Sequence, residues 1–135
     1  MVIDSSALIA ILRREPEADG FRRAIYDASI KITSAMTKLE TSMVAAGQRG
    51  PSAFAELDAL LADLQVEIVP FTGHHAEMAR NAFIRYGKGR HKAGLNFGDC
   101  ASFRAARKCS SAPGRLPCAN RISACRVRLS ADAIT

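Results

Sequence analysis

A chain of 135 residues, 48% hydrophobic and 24% charged, has the size and composition of one globular domain rather than a disordered segment. No apolar run nears the ~20 residues of a membrane span, and the opening MVIDSSALIAILRRE lacks a basic leader, so it reads as the first strand of a cytoplasmic domain and not as a signal peptide. The formal charge of +6 invites a nucleic-acid reading, but residues 1–99 hold 12 basic and 12 acidic residues, and the excess lies entirely in the last 36, where seven basic residues stand against one acid, Asp132.

In chain order, Val2-Ile3 reads as a short strand ending at Asp4. Ser5 or Ser6 is suited to cap a helix in which Ala7, Leu8, Ile11 and Leu12 recur at helical spacing. Pro16 opens a second helix that turns Phe21, Ala24 and Ile25 inward and runs to about Ala28. Residues 30–33 form a second strand, after which Ser34 caps a helix with Met36, Leu39, Met43 and Val44 on one face, ending near Gly47–Gly50. Pro51 opens a helix with Phe54, Leu57, Leu60, Leu61 and Leu64 apolar, and residues 66–70 are a third strand. Thr72 caps a long helix over about 73–86, a glycine-rich loop spans 87–94, and Asn96-Phe97-Gly98-Asp99 leads into a last helix through Phe103, Ala105 and Ala106. Strands alternating with helices predict an α/β fold with a central, mainly parallel sheet between helical layers, and sites in such sheets form at the carboxyl ends of the strands.

After about residue 104 the periodicity fades, and Pro113, Gly114 and Pro117 break any long element. The division is therefore a core over 1–108 and a basic, cysteine-containing tail over 109–135. Cys100, Cys109, Cys118 and Cys125 are nine, nine and seven apart with no close pair, which disfavours a closed zinc site, and scattered thiols suit a reducing compartment.

The candidates for chemistry are carboxylates. Asp4 ends the first strand, Glu40 lies about two turns into the helix after the second, and Asp99 starts the last helix. A doubly wound sheet can bring all three to one edge, where mutual repulsion demands cations and oxygen ligands favour Mg²⁺, with Mn²⁺ as the alternative. Each also has a plain structural reading: Asp99 as a helix cap, Asp4 as a solvated strand end, Glu40 as a solvated helix face.

Three segments together, MVIDSSALIAIL, TSAMTKLET and LNFGDC, resemble the signature segments of PIN-domain ribonucleases, closest to the VapC toxins of bacterial toxin–antitoxin pairs, over residues 1 to about 103. The resemblance implies a three-layer α/β/α fold and an Mg²⁺-dependent endoribonuclease that hydrolyses RNA phosphodiester bonds and is inhibited by a VapB-type antitoxin. It implies Asp4 and Asp99 as primary metal ligands and catalytic residues, with Glu40 completing the near side of the site. Ser5 or Ser6 would support the site by hydrogen bonding, and Asn96 would sit beside it and orient the loop. A homodimer is expected, and no membrane association; Met36, Met43 and Met78 read as core residues, with Met36 and Met43 alternatively lining the dimer seam.

The tail departs from that pattern. Members of the family usually carry a further acid about twenty positions after the Asp99 equivalent, in a turn following a final strand. Here Leu116-Pro117-Cys118-Ala119-Asn120 has none, and the surroundings of Asp132 do not match. One codon choice for residues 114–123, read from its third nucleotide, encodes Ala-Pro-Ala-Leu-Cys-Lys-Pro-Asp-Phe, close to the missing strand and turn, so a frameshift near residues 103–113 would account for the ending. The alternative function is accordingly a catalytically impaired PIN-fold module that binds antitoxin or dimerises without cutting RNA. Among the remaining residues, His74 and His75 read as solvated first-turn residues. The loop bearing Lys88, Arg90, His91 and Lys92 is either a contact for RNA phosphates or a solubilising surface loop.

Overall fold

A computed structural model describes residues 1–100 and Ser102. The tail over 109–135, its cysteines, Asp132 and the continuation of the last helix through Phe103, Ala105 and Ala106 lie outside the described residues. The order is α1 (Ser5–Leu12), α2 (Ala18–Tyr26), β1 (Ile32–Ser34), α3 (Ala35–Arg49), α4 (Ser52–Asp63), β2 (Glu67–Val69) and α5 (Gly73–Tyr86). A further helical turn follows over 97–100.

The sheet is parallel, as the alternation predicts. β1 pairs with β2 in the register Ile32↔Glu67, Thr33↔Ile68 and Ser34↔Val69, and Val2 adds a parallel bridge to Ile32 on the other side of β1. The opening strand is thus shorter than expected, held by Ile32 N–H to the Met1 carbonyl and Ile3 N–H to the Ile32 carbonyl. The second strand begins at Ile32 rather than Ile30.

The capping residue of α1 is Asp4, not Ser5 or Ser6: its extended backbone leaves the carboxylate free to accept the N–H of Ala7. A carboxylate there also answers the positive end of the helix. The helix ends at Leu12 with Arg13 as its cap, and Arg14 beyond it takes a left-handed φ of 53°, with Arg14 N–H reaching the Ile11 carbonyl and Glu15 N–H the Ala10 carbonyl. Pro16 stands outside α2, which starts at Ala18, and Ala24 is exposed while Phe21 and Ile25 are buried. Ser34 caps α3 as expected, accepting from Thr37 N–H, and Gly50 closes it with φ of 78°. Thr72 caps α5 in a reciprocal box with His75, whose Nδ1 accepts the Thr72 N–H. His75 is therefore a capping residue.

The main core joins α1, α2 and α4 through Leu8, Ile11, Phe21, Ile25, Leu57, Leu60, Leu61 and Leu64. Burial of each large side chain contributes about 1.5–3 kcal/mol. Ile9, Ala45 and Ala53 join α1, α3 and α4, and Ile32 with Val69 forms a small cluster on the sheet. Phe54, expected with the leucines of α4, is half exposed.

α3 is reversed relative to its apolar spacing. It buries Thr37, Thr41 and Ala45, while Leu39, Met43 and Val44 face out, Met43 at 66% exposure. The buried hydroxyls are satisfied locally: Thr41 Oγ1 donates to the Thr37 carbonyl at 2.8 Å, and Ser34 Oγ and Thr37 Oγ1 lie 2.8 Å apart. Hydroxyls with partners cost little to bury, so the threonine stripe can take the inner face. No helix among the described residues is long and apolar enough to cross a membrane.

Candidate active site

Three acid-bearing segments meet at the carboxyl end of β1. The first is Ile3-Asp4. Thr33 Oγ1 donates to the Ile3 carbonyl at 2.9 Å, fixing the residue before Asp4 against β1. The second is α3, which leaves β1 at Ser34. The third is the final helical turn, joined to α3 by a contact of 3.2 Å between Thr37 Oγ1 and Ser102 Oγ, 65 residues apart in sequence. One line of buried hydroxyls on Ser34, Thr37 and Ser102, with Thr33 beside it in β1, thus links the segments.

Asp4 is half buried, and its Oδ1 accepts from Ser6 Oγ at 2.8 Å and from Ala7 N–H at 3.2 Å. Ser5 lies in the same helical turn with no such bond to Asp4 among the described residues. Asp99 is also half buried and sits in a reciprocal box: its Oδ2 accepts Asn96 N–H, and Asn96 Oδ1 accepts Asp99 N–H, both at 2.9 Å. Asn96 is thereby the cap of the last helix, with Asp99 in its first turn.

Gly98 brings Glu40 to this turn. A Cβ at Gly98 would stand 2.6 Å from Glu40 Oε2 and 2.9 Å from Oε1, so only glycine leaves room for that carboxylate where it lies. Glu40 is half buried, with no hydrogen-bond or ion-pair partner among the described residues; nearby Lys38 is instead paired with Asp58 at 2.7 Å. Beside Asp99, burial pushes the Cys100 thiol above its ordinary value, and the Asp99 charge adds to the rise. Cys100 is therefore a packing residue and a poor nucleophile.

Glu40 and the Gly98-Asp99 turn are in contact, and Asp4 stands on the adjoining segment. Among the described residues no group of three His, Cys, Asp or Glu side chains closes into a metal cage. The donor set itself fits a hard divalent cation. All donors are carboxylate oxygens, Glu40 has no counter-charge among the described residues, and Mg²⁺ binds through one or two carboxylates while keeping several waters. Gly98 and the Thr37–Ser102 contact were not identifiable as site features from the sequence. The four-residue spacing of Thr33, Thr37 and Thr41 is the one signal of the hydroxyl stripe.

The profile of the PIN domain matches residues 1–109. The chain belongs to the PIN-domain family. Its PIN relatives include the ribonuclease VapC of Mycolicibacterium smegmatis, 44% identical over 107 residues, which are 79% of this chain and 83% of that protein. Ribonuclease VapC30 of Mycobacterium tuberculosis is 43% identical over 107 residues, 79% of this chain and 82% of that one. Ribonuclease VapC28 of the same species is 40% identical over 104 residues, 76% and 78% of the two chains. This PIN domain is of the VapC type, and its parallel sheet with flanking helices is the α/β/α PIN architecture that the three sequence segments imply.

Proposed function

We propose that this chain is a divalent-metal-dependent endoribonuclease toxin of the cytoplasm, neutralised by a VapB-type antitoxin. The observation that carries the reading is the Glu40 carboxylate, uncompensated among the described residues and seated on Gly98 beside Asp99, in a chain whose relatives are named ribonucleases.

Asp4, Glu40 and Asp99 would hold the ion. Mg²⁺ or Mn²⁺ supplies activation of water and stabilisation of the charge developing on a phosphate. The chain's own residues set the stage. Ser6 holds the Asp4 carboxylate in one orientation, and Asn96 does the same for Asp99. A homodimer would cover the outward methionine and leucine face of α3.

The other reading, a PIN module that binds antitoxin or dimerises without cutting, draws on the open cage among the described residues and on the lack of an acid over 116–120. Cleavage of a single-stranded RNA by the purified full-length protein, with Mg²⁺ and with EDTA, separates the two. The ribonuclease reading expects Mg²⁺-dependent cleavage that falls about 100-fold or more in Asp4→Asn, because one charged ligand to the ion is removed. Equal residual cleavage by wild type and Asp4→Asn means contamination and favours the non-cutting module.

A further inference from the structure

Between Met78 and Gly98 the chain carries Arg80, Arg85, Lys88, Arg90 and Lys92 and no acid, although residues 1–99 as a whole are neutral. Three of these cations sit in the loop over 87–94, which is closed where it leaves and rejoins the fold. Lys88 N–H donates to the Leu95 carbonyl and Leu95 N–H to the Tyr86 carbonyl, with a parallel bridge between Gly87 and Leu95. Inside the loop, Arg90 and His91 N–H both reach the Gly87 carbonyl, and His91 Nδ1 accepts Ala93 N–H.

Aromatic rings fix the loop to the end of α5. The His91 ring stands edge-on to Tyr86 at 5.3 Å, and the Arg90 guanidinium lies 5.9 Å from the centre of the Phe83 ring. Gly87 is required there, since a Cβ would run into the Phe83 carbonyl and ring. Lys88 and Lys92 are exposed and have no carboxylate partner among the described residues. The closing residue Leu95 is buried, and the next residue is Asn96, whose N–H holds the Asp99 carboxylate. Phe97, two positions before Asp99, is 66% exposed at the start of the last helix. A large ring turned to water beside an acidic site, with a loop whose two lysines have no carboxylate partner among the described residues just upstream of its capping asparagine, matches the two requirements of single-strand binding: cations for the backbone and a face for a base.

We infer that Lys88, Arg90 and Lys92 grip the phosphates of a single-stranded RNA, and that Phe97 stacks on a base of the strand as it passes the Asn96–Asp99 turn. This deepens the ribonuclease reading and rests on it. An acidic protein segment would find the same cations, but it would not use the Phe97 ring.

The test is anisotropy of a fluorescein-labelled oligouridine with the full-length protein in EDTA, where binding is read without cleavage, at a series of salt concentrations. Lys88→Ala/Lys92→Ala should weaken binding about tenfold and flatten the slope of log affinity against log salt by about 1.4, at roughly 0.7 for each phosphate that a lysine neutralises on a single strand. Phe97→Leu keeps apolar bulk at an exposed position; it should weaken binding about tenfold and leave the salt slope unchanged. Arg22→Ala/Arg23→Ala, which removes equal charge from α2, should stay within about twofold of wild type. The inference is overturned if the loop and Phe97 variants bind as wild type does, or if the α2 variant is weakened as much. Abolished poly-glutamate binding with oligouridine binding intact overturns it in favour of an acidic protein partner. A wild type that binds oligouridine but shows no Mg²⁺-dependent cleavage ends the ribonuclease reading, while the variant series still decides the grip.

Discussion

The leucine core beneath α1, α2 and α4 and the hydroxyl seam along α3 are equally dry, but they hold their surroundings in different ways. Leu8 and Leu57 are fully buried among other apolar side chains, and such contacts are strong in sum and indifferent to direction. Thr33, Thr37 and Thr41 are as deeply buried, yet each is held by directed hydrogen bonds to particular partners, Thr37 to both Ser34 and Ser102. The core makes the domain stable. The seam ties together the segments that carry Asp4, Glu40 and Asp99.

Three substitutions break or sharpen that contrast, in falling order of their effect on stability. Leu57→Ala opens a cavity in the core and should cost about 2–5 kcal/mol in chemical denaturation, with RNA cleavage per folded molecule unchanged. A parallel fall in specific cleavage would mean that core and site are not separable. Thr37→Val keeps the shape and deletes the bridge between Ser34 and Ser102, leaving two buried hydroxyls short of a partner. It should cost about 1–3 kcal/mol and, unlike the leucine change, lower cleavage per folded molecule. Unaltered specific cleavage would show that the seam is structural alone. Gly98→Ala should move stability by no more than about 1 kcal/mol, because alanine suits a helical turn better than glycine and the atoms it meets end a flexible side chain. It displaces the Glu40 carboxylate, so cleavage should fall about tenfold or more while the unfolding curve stays in place; full activity would remove Glu40 from the site.

Local signals in the sequence carry well into the structure. The caps at Ser34 and Thr72, the glycine closing α3 and the leucine face of α4 depend on residues within a turn or two, and all stand where the spacing puts them. Some local readings fail, such as Pro16 as the start of α2 and Phe54 on the inner face of α4, and the other errors are non-local or ambivalent. The pairing of Val2 and Ile3 depends on a partner thirty residues away, so the extent of that strand is not written in its own residues. Asp4 takes the cap that serine spacing suggested for Ser5 or Ser6. Along α3 the apolar residues indicate one face, but threonine can be buried once its hydroxyl is bonded, and the helix turns accordingly. Asp4 and Asp99 are visible as isolated acids in apolar or glycine-bearing segments, whereas Glu40 stands in the polar stretch Thr37-Lys38-Leu39-Glu40-Thr41. The role of Gly98 in admitting Glu40 depends on a contact 58 positions apart, which no spacing rule announces.

The bridge between Gly87 and Leu95 has a consequence for how such a domain can diversify. Because the loop is pinched shut at its base, and buried Leu95 anchors the chain where it leaves the loop, changes of length or composition between Lys88 and Gly94 should end at the pinch and not be passed on to Asn96 and Asp99. The fold therefore treats that loop as an interchangeable cassette, free to be rewritten while the acidic turn beside it stays as it is.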